Sequence, residues 1–128
     1  MDTTVDAVSK VHETEPVGPP PQGPYLNAVV RVTTGLEPTA LLARLQQIER
    51  DRGRVRGRER NRPRTLDLDL LLYGEATIDL PGLVVPHPRL HERRFVLDPL
   101  CEVAGDWRHP VLAVSIAELT RKIHEKSP

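Results

Sequence analysis

At 128 residues the chain has room for one hydrophobic core and not for two. Its formal net charge of zero, with 28% charged and 3% aromatic residues, excludes a global attraction to nucleic acid or to a membrane surface. A single cysteine, Cys101, excludes an internal disulfide framework, and no apolar run or N-terminal signal pattern directs the chain into or across a membrane, so a soluble cytoplasmic protein is expected.

Residues 4–12, TVDAVSKVH, alternate loosely enough to predict a strand with an irregularity. The proline-rich run from Pro16 to Pro24 then predicts a shaped loop, because proline supplies no donor and fixes φ. Tyr25 to Thr34 is rich in β-branched residues and predicts one strand. Pro38 stands where a first helical residue belongs, and Leu41, Leu42, Leu45 and Ile48 recur at helical spacing until Gly53 offers a stop, which places the helix end near 50–52.

Residues 65–73 predict a second strand, followed by a turn at Gly74-Glu75, a short β-like piece over 76–80 and a turn-rich segment from Pro81 to Pro88. A helix is predicted over much of 90–104. Another starts at Ser115, where Glu118 three residues later makes a capping-box pattern. The whole reads as α+β, with helices packed on an antiparallel sheet.

Within the second strand the leucines 66, 68, 70 and 72 share one face, and Asp67 and Asp69 share the other. Two carboxylates converging to about 5 Å at an effective dielectric near 20 would repel by about 3 kcal/mol, so either water screens them or a cation joins them. Mg²⁺ suits such a pair, because it keeps waters and is commonly held by one or two carboxylates plus substrate phosphates. The plain alternative is a wet outer face whose acids discourage edge pairing.

The tract that precedes this strand carries arginine at every even position from 50 to 64, and with Asp51 and Glu59 its local charge is +6. Arginine forks bind phosphate oxygens bidentately, and Gly53 and Gly57 would let the tract close over a ligand. Metal carboxylates beside a basic lid are what phosphoryl transfer requires. A solvated basic loop and nonspecific nucleic-acid binding are the competing readings. The neutral total charge and scarce aromatics favour a small phosphorylated ligand.

The stretch Val55 to Tyr73, with ERNRPRTLDLDLLLY at its centre, and the stretch Val85 to Leu100, VPHPRLHERRFVLDPL, together with the upstream ETEPVG and PYLNAVV, closely resemble the 6-hydroxymethyl-7,8-dihydropterin pyrophosphokinase family of folate biosynthesis. The resemblance covers nearly the whole chain, in the same motif order. It implies a ferredoxin-like α+β fold and Mg²⁺-dependent transfer of pyrophosphate from ATP to the pterin hydroxymethyl group, with release of AMP.

Carried over by position, Asp67 and Asp69 would hold two Mg²⁺ ions, and Arg54, Arg56 and Arg64 would engage phosphates or order the lid. Thr14, Tyr25 and Asn27 would line the pterin pocket, Phe95 would stack on the pterin, and Arg93 would sit close by. Gln46 and Glu49 would lie near the adenosine and His87 would contact ATP. Tyr25 and Phe95 could equally be core aromatics, and His87 a brace between two prolines. Asn27 is harder to read as structural, because strands are depleted in asparagine. His12, His91, His109 and His124 lack ligand-type spacing and receive no role.

Two departures accompany the resemblance. Many relatives carry an aromatic near Asn61, where a lid ring would cover the pterin. The family also begins with a strand, a Gly-Ser-Asn turn and a helix ahead of the part that matches residues 4–18. The expected single domain, 1–128, would therefore be incomplete at its N-terminus, leaving backbone groups of two neighbouring strands without partners. Three accounts stand: a start further upstream, a strand supplied by a partner or by self-association, or a degenerate copy acting as an interaction module.

Overall fold

The computed structural model describes residues 3–14, 25–54 and 66–126. They form an α+β arrangement of antiparallel strand pairs and, among the described residues, three α-helices. None of these helices is long and apolar enough to cross a membrane.

Strands β1 (Thr3–Val8) and β4 (Val30–Thr34) pair antiparallel, and β2 (His12–Thr14) pairs with β3 (Tyr25–Asn27). The two pairs follow one another along the same two stretches of chain, as an interrupted ribbon. The register slips once between Val5 and Ala7, and again where Ser9, Lys10 and Val11 stand opposite only Ala28 and Val29. Ser9 fills that second slip. Its N–H donates to the Val29 carbonyl at 2.9 Å, and its buried hydroxyl accepts the Val29 N–H at 2.9 Å and donates to the Lys10 carbonyl at 2.7 Å. The single strands predicted over 4–12 and 25–34 are therefore each divided in two, because a side chain replaces the ladder at their middle.

Helix α1 (Pro38–Arg54) starts at the predicted proline and turns Leu41 inward, with Leu42, Leu45 and Ile48 half-buried. It runs through Gly53 instead of stopping before it. A glycine within a helix costs only about 1 kcal/mol, too little to end one by itself.

Residues 66–73 correct the second strand prediction, because they join no ladder among the described residues. Their polar backbone groups are engaged elsewhere. The Leu68 N–H donates to the Glu49 carboxylate, and the Leu71 carbonyl accepts the His87 N–H at 2.9 Å.

After the turn at Gly74, whose φ is +56°, strands β5 (Ile78–Leu80) and β6 (Leu83–Val85) close a hairpin through Pro81 and Gly82. Gly82 has φ +82°, and proline followed by a left-handed glycine is the pattern of a type II turn. The middle of the predicted turn-rich segment is thus strand.

The core lies between the helices. A 3-10 turn (Leu90–Glu92), helix α2 (Arg94–Ala104) and helix α3 (Ile116–Lys126) bring together Leu90, Leu97, Leu100, Val103, Ala104 and Ile116, all buried. The one helix predicted over 90–104 is broken at Arg93, which is extended at φ −121° and ψ 110°. Ser115 caps α3 as predicted by accepting the Glu118 N–H at 3.0 Å. Cys101 packs against this cluster, half-buried, in keeping with a filler role. The ribbon meets the core through Ala7 and Val29, and Arg31 fastens it by donating to the Val103 carbonyl at 3.0 Å while lying 5.3 Å from the Trp107 ring centroid.

Candidate active site

Leu66, Leu68 and Leu70 are half-buried while Asp67 and Asp69 are exposed, so the predicted sidedness of this stretch survives without a ladder. What keeps it extended is α1. Glu49, near the end of the helix, accepts the Leu68 N–H, and the Tyr73 hydroxyl donates to the carbonyl of Leu36, just ahead of the helix. From Pro38 to Glu49 the helix rises about 17 Å, and the extended chain from Leu68 to Tyr73 spans about 17 Å. The two anchor points suit an extended stretch between Leu68 and Tyr73, running antiparallel to α1. In that conformation Asp67 and Asp69 stand roughly 6 to 7 Å apart on one side.

Glu49 thus acts here as a holder of the aspartate segment, one turn of helix past the exposed Gln46. Arg54 is the last residue of α1. Arg56 and Arg64 lie outside the described residues, as do the rest of the lid expectation over 55–65 and Asn61.

His87 is half-buried after β6, and its N–H bond to Leu71 ties it to the same segment. Its Nδ1 accepts the Arg89 N–H at 3.3 Å, so the ring's other nitrogen is the one left for a ligand. His87 borders an open cleft of about 340 Å³ whose walls include Val85, Pro86, His91 and His109. His109 is buried, and its Nδ1 accepts the N–H groups of Val111 and Leu112 at 3.2 and 3.0 Å. Burial first, and the neighbouring His91 second, push its pKa below the ordinary value of 6.5.

A second group gathers on the β2–β3 pair. Thr14 stands opposite Tyr25, and Asn27, half-buried, stands opposite His12. Helix α2 packs on this pair, with Phe95 in its first turn. Phe95 is 38% exposed, and the Arg93 guanidinium lies over its ring, 5.6 Å from the centroid. Two sub-assemblies result: Glu49, Asp67, Asp69 and His87 linked through the aspartate segment, and Thr14, Tyr25 and Asn27 on the strand pair against the helix that carries Phe95.

Among the described residues no group of three or more His, Cys, Asp or Glu converges to hold a metal. Two exposed carboxylates on an extended segment nevertheless fit a hard divalent cation that takes its remaining ligands from water and phosphate. They do not fit a closed structural site, which needs a full protein ligand set.

The family described as 7,8-dihydro-6-hydroxymethylpterin-pyrophosphokinase matches residues 1–105, most of the chain and every candidate site residue. The chain belongs to this pyrophosphokinase family. A 2-amino-4-hydroxy-6-hydroxymethyldihydropteridine pyrophosphokinase of Pseudomonas aeruginosa is 48% identical over 109 residues, covering 85% of this chain and 67% of the relative. The protein of the same name in Bacillus subtilis is 49% identical over 100 residues, covering 78% of this chain and 59% of the relative. The folic acid synthesis protein fol1 of Pneumocystis carinii is 43% identical over 122 residues, which are 94% of this chain and 16% of that protein. The chain thus spans about three fifths to two thirds of these bacterial pyrophosphokinases and a small part of the fungal protein.

Helix α3 lies beyond the match to the pyrophosphokinase family, although Ile116 at its start is buried in the core. Spacing gives His12 no role, yet its Nε2 lies 2.6 Å from the Glu102 carboxylate on α2. Only the antiparallel register, which sets His12 opposite Asn27, brings that pair to notice.

Proposed function

We propose that this chain carries the pyrophosphoryl-transfer site for making the diphosphate of 6-hydroxymethyl-7,8-dihydropterin from ATP, a step of folate biosynthesis in the cytoplasm. The observation that carries the reading is the pair Asp67 and Asp69, held exposed on one side of a straight segment by Glu49, Tyr73 and His87.

In this reading the pterin hydroxymethyl oxygen bonds to the β-phosphorus of ATP. The bond from that phosphorus to the oxygen shared with the α-phosphate breaks, AMP leaves, and the hydroxyl proton passes to solvent. Asp67 and Asp69 would hold two Mg²⁺ ions, which would supply positive charge to offset the charge developing on the phosphate. Arg54, Arg56 and Arg64 bind phosphate oxygens through paired N–H donors. Gln46 and Glu49 face the adenosine, and His87 donates to ATP from the nitrogen not occupied by Arg89. Asn27 reads the amide-like edge of the pterin with paired hydrogen bonds, Thr14 and Tyr25 line its pocket, Phe95 stacks on the ring, and Arg93 closes beside it.

The same reading makes the fold ferredoxin-like, a single domain over 1–128 in which residues 66–72 run as the extended segment that carries the carboxylates. The β1–β4 ribbon leaves Val5, Val8 and Val30 exposed. A further strand, from a segment upstream, from a partner or from self-association, would cover that face. A sedimentation coefficient that rises with concentration supports self-association, and a monomer at all concentrations argues against it.

Product analysis with ATP, Mg²⁺ and 6-hydroxymethyl-7,8-dihydropterin tests the reaction. Pterin-dependent AMP is expected, falling about a hundred- to a thousandfold in Asp67→Ala and in Asp69→Ala, of the order seen when a main electrostatic contributor is removed. Formation of ADP in place of AMP would refute pyrophosphoryl transfer.

A further inference from the structure

The ribbon has a place with no ladder of its own, around Lys10 and Val11, and it is there that α2 reaches across. Both oxygens of the Glu102 carboxylate are used. Oε1 accepts the Lys10 N–H at 2.7 Å, and Oε2 lies 2.6 Å from His12 Nε2. These bonds hold the Glu102 pKa below the ordinary carboxylate range, the Lys10 N–H first and His12 second, so the group is an anion at neutral pH.

The position of this clamp gives it a use. His12 is the direct cross-strand partner of Asn27, and directly opposed residues project from the same face of a strand pair. Glu102 follows Phe95 by seven residues on α2, which returns it to within about 20° of the same helix face and about 10 Å further along. One helix face therefore carries an exposed aromatic ring at its start and, two turns later, the carboxylate that grips the strand pair beside Asn27.

We infer that Glu102 and His12 are positioning residues that fix Asn27 relative to Phe95 and so set affinity for the flat heterocyclic substrate without touching it. The inference rests on the assignment of Asn27 and Phe95 to the pterin pocket. A clamp of this kind acts on one substrate only, whereas a merely structural ion pair would affect both substrates or neither.

Calorimetric titration of the full chain with 6-hydroxymethylpterin, and separately with an α,β-methylene analogue of ATP plus Mg²⁺, tests it. Glu102→Ala and His12→Leu are expected to weaken pterin binding about tenfold, the scale of a lost charge-assisted hydrogen bond, and to leave the nucleotide analogue within about twofold. Glu102→Gln should retain most of the pterin affinity, because its carbonyl can accept from Lys10 while its amide stays within reach of His12 Nε2. The double variant Glu102→Ala/Asn27→Ala should bind pterin no more weakly than Asn27→Ala alone.

Equal loss of both ligands, or full additivity in the double variant, would overturn positioning. If Asn27→Ala loses pterin affinity while Glu102→Ala does not, positioning fails and the pocket stands. If Asn27→Ala binds the pterin as the unaltered chain does, the pocket assignment fails and this inference falls with it.

Discussion

Leu97 and Val30 are both branched aliphatic residues in regular elements, yet Leu97 is fully buried and Val30 is 50% exposed. The contrast holds for the regions they belong to. The helical region encloses its apolar side chains between α2, α3 and the 3-10 turn, whereas the ribbon leaves Val5, Val8, Val11, Leu26 and Val30 open and is attached by polar contacts from Ser9, Arg31 and Glu102. Burial of apolar area thus holds one region together, and directional bonds hold the other in place against it. The difference matters for the site, because the pocket proposed for the pterin lies where these two kinds of structure meet.

Mutations can separate the two kinds of support. Leu97→Ala should cost about 3 kcal/mol, the usual loss for emptying a buried leucine site, measured as a lower urea midpoint at unchanged slope. A smaller loss would mean that the helical region is less tightly packed than its burial indicates. Arg31→Ala should cost about 1.5 kcal/mol, since it removes a charged donor from the Val103 carbonyl together with its contact on Trp107. Its mark should be faster amide exchange across β1 and β4, with α2 and α3 little changed. Ser115→Ala should cost about 1 kcal/mol through loss of the α3 cap, read from the same urea transition.

His109 gives the comparison a pH dependence. Its folded-state pKa is lowered, so the unfolded chain takes up the proton first as pH falls. The stability contributed by the neutral ring is full above about 6.5 and is lost as pH drops below that value toward the folded pKa. Protonation would also place a hydrogen on the nitrogen that accepts from Val111 and Leu112. Urea midpoints at pH 8 and pH 5.5 should therefore differ, and His109→Gln should flatten that difference. The smallest effect is expected for Val30→Thr, within about 0.5 kcal/mol, because the exposed side chain has little burial to lose and threonine keeps the β-branch. A loss above 1 kcal/mol would show that something covers the ribbon.

What could be read along the chain was what neighbouring residues decide between themselves. Pro38 and the leucine stripe located α1, the alternation from Leu66 to Leu70 gave the sidedness of the aspartates, and Ser115 located the start of α3. Even the capping box was half right. The Ser115 arm is present, but the Glu118 carboxylate turns to Arg121 and Lys122 instead of back to Ser115.

The misses lie where a distant residue decides. Ser9 breaks the long strand at Val29, twenty residues later in the chain. Residues 66–73 have strand-like alternation but take their hydrogen bonds from a glutamate side chain and a histidine backbone. Glu102 meets His12 across a separation of ninety residues, which no periodicity encodes. The family motifs supplied the candidate site residues. They did not show that Glu49 supports the aspartate segment or that His12 belongs beside Asn27.

The two bonds that tie α1 to the aspartate segment, Glu49 to Leu68 and Tyr73 to Leu36, act as a gauge. The placement of Asp67 and Asp69 along the helix is set by those two fastenings and by the rise of α1, so the length of the connection between them is not what spaces the site. Extra residues inserted into that connection should therefore leave the carboxylates where they are. Removing a single residue from the middle of α1 would swing Glu49 by about 100° and draw it about 1.5 Å along the axis, unhooking the segment at one end. The carboxylates are in this way kept in register by the helix to which their segment is fastened at two points.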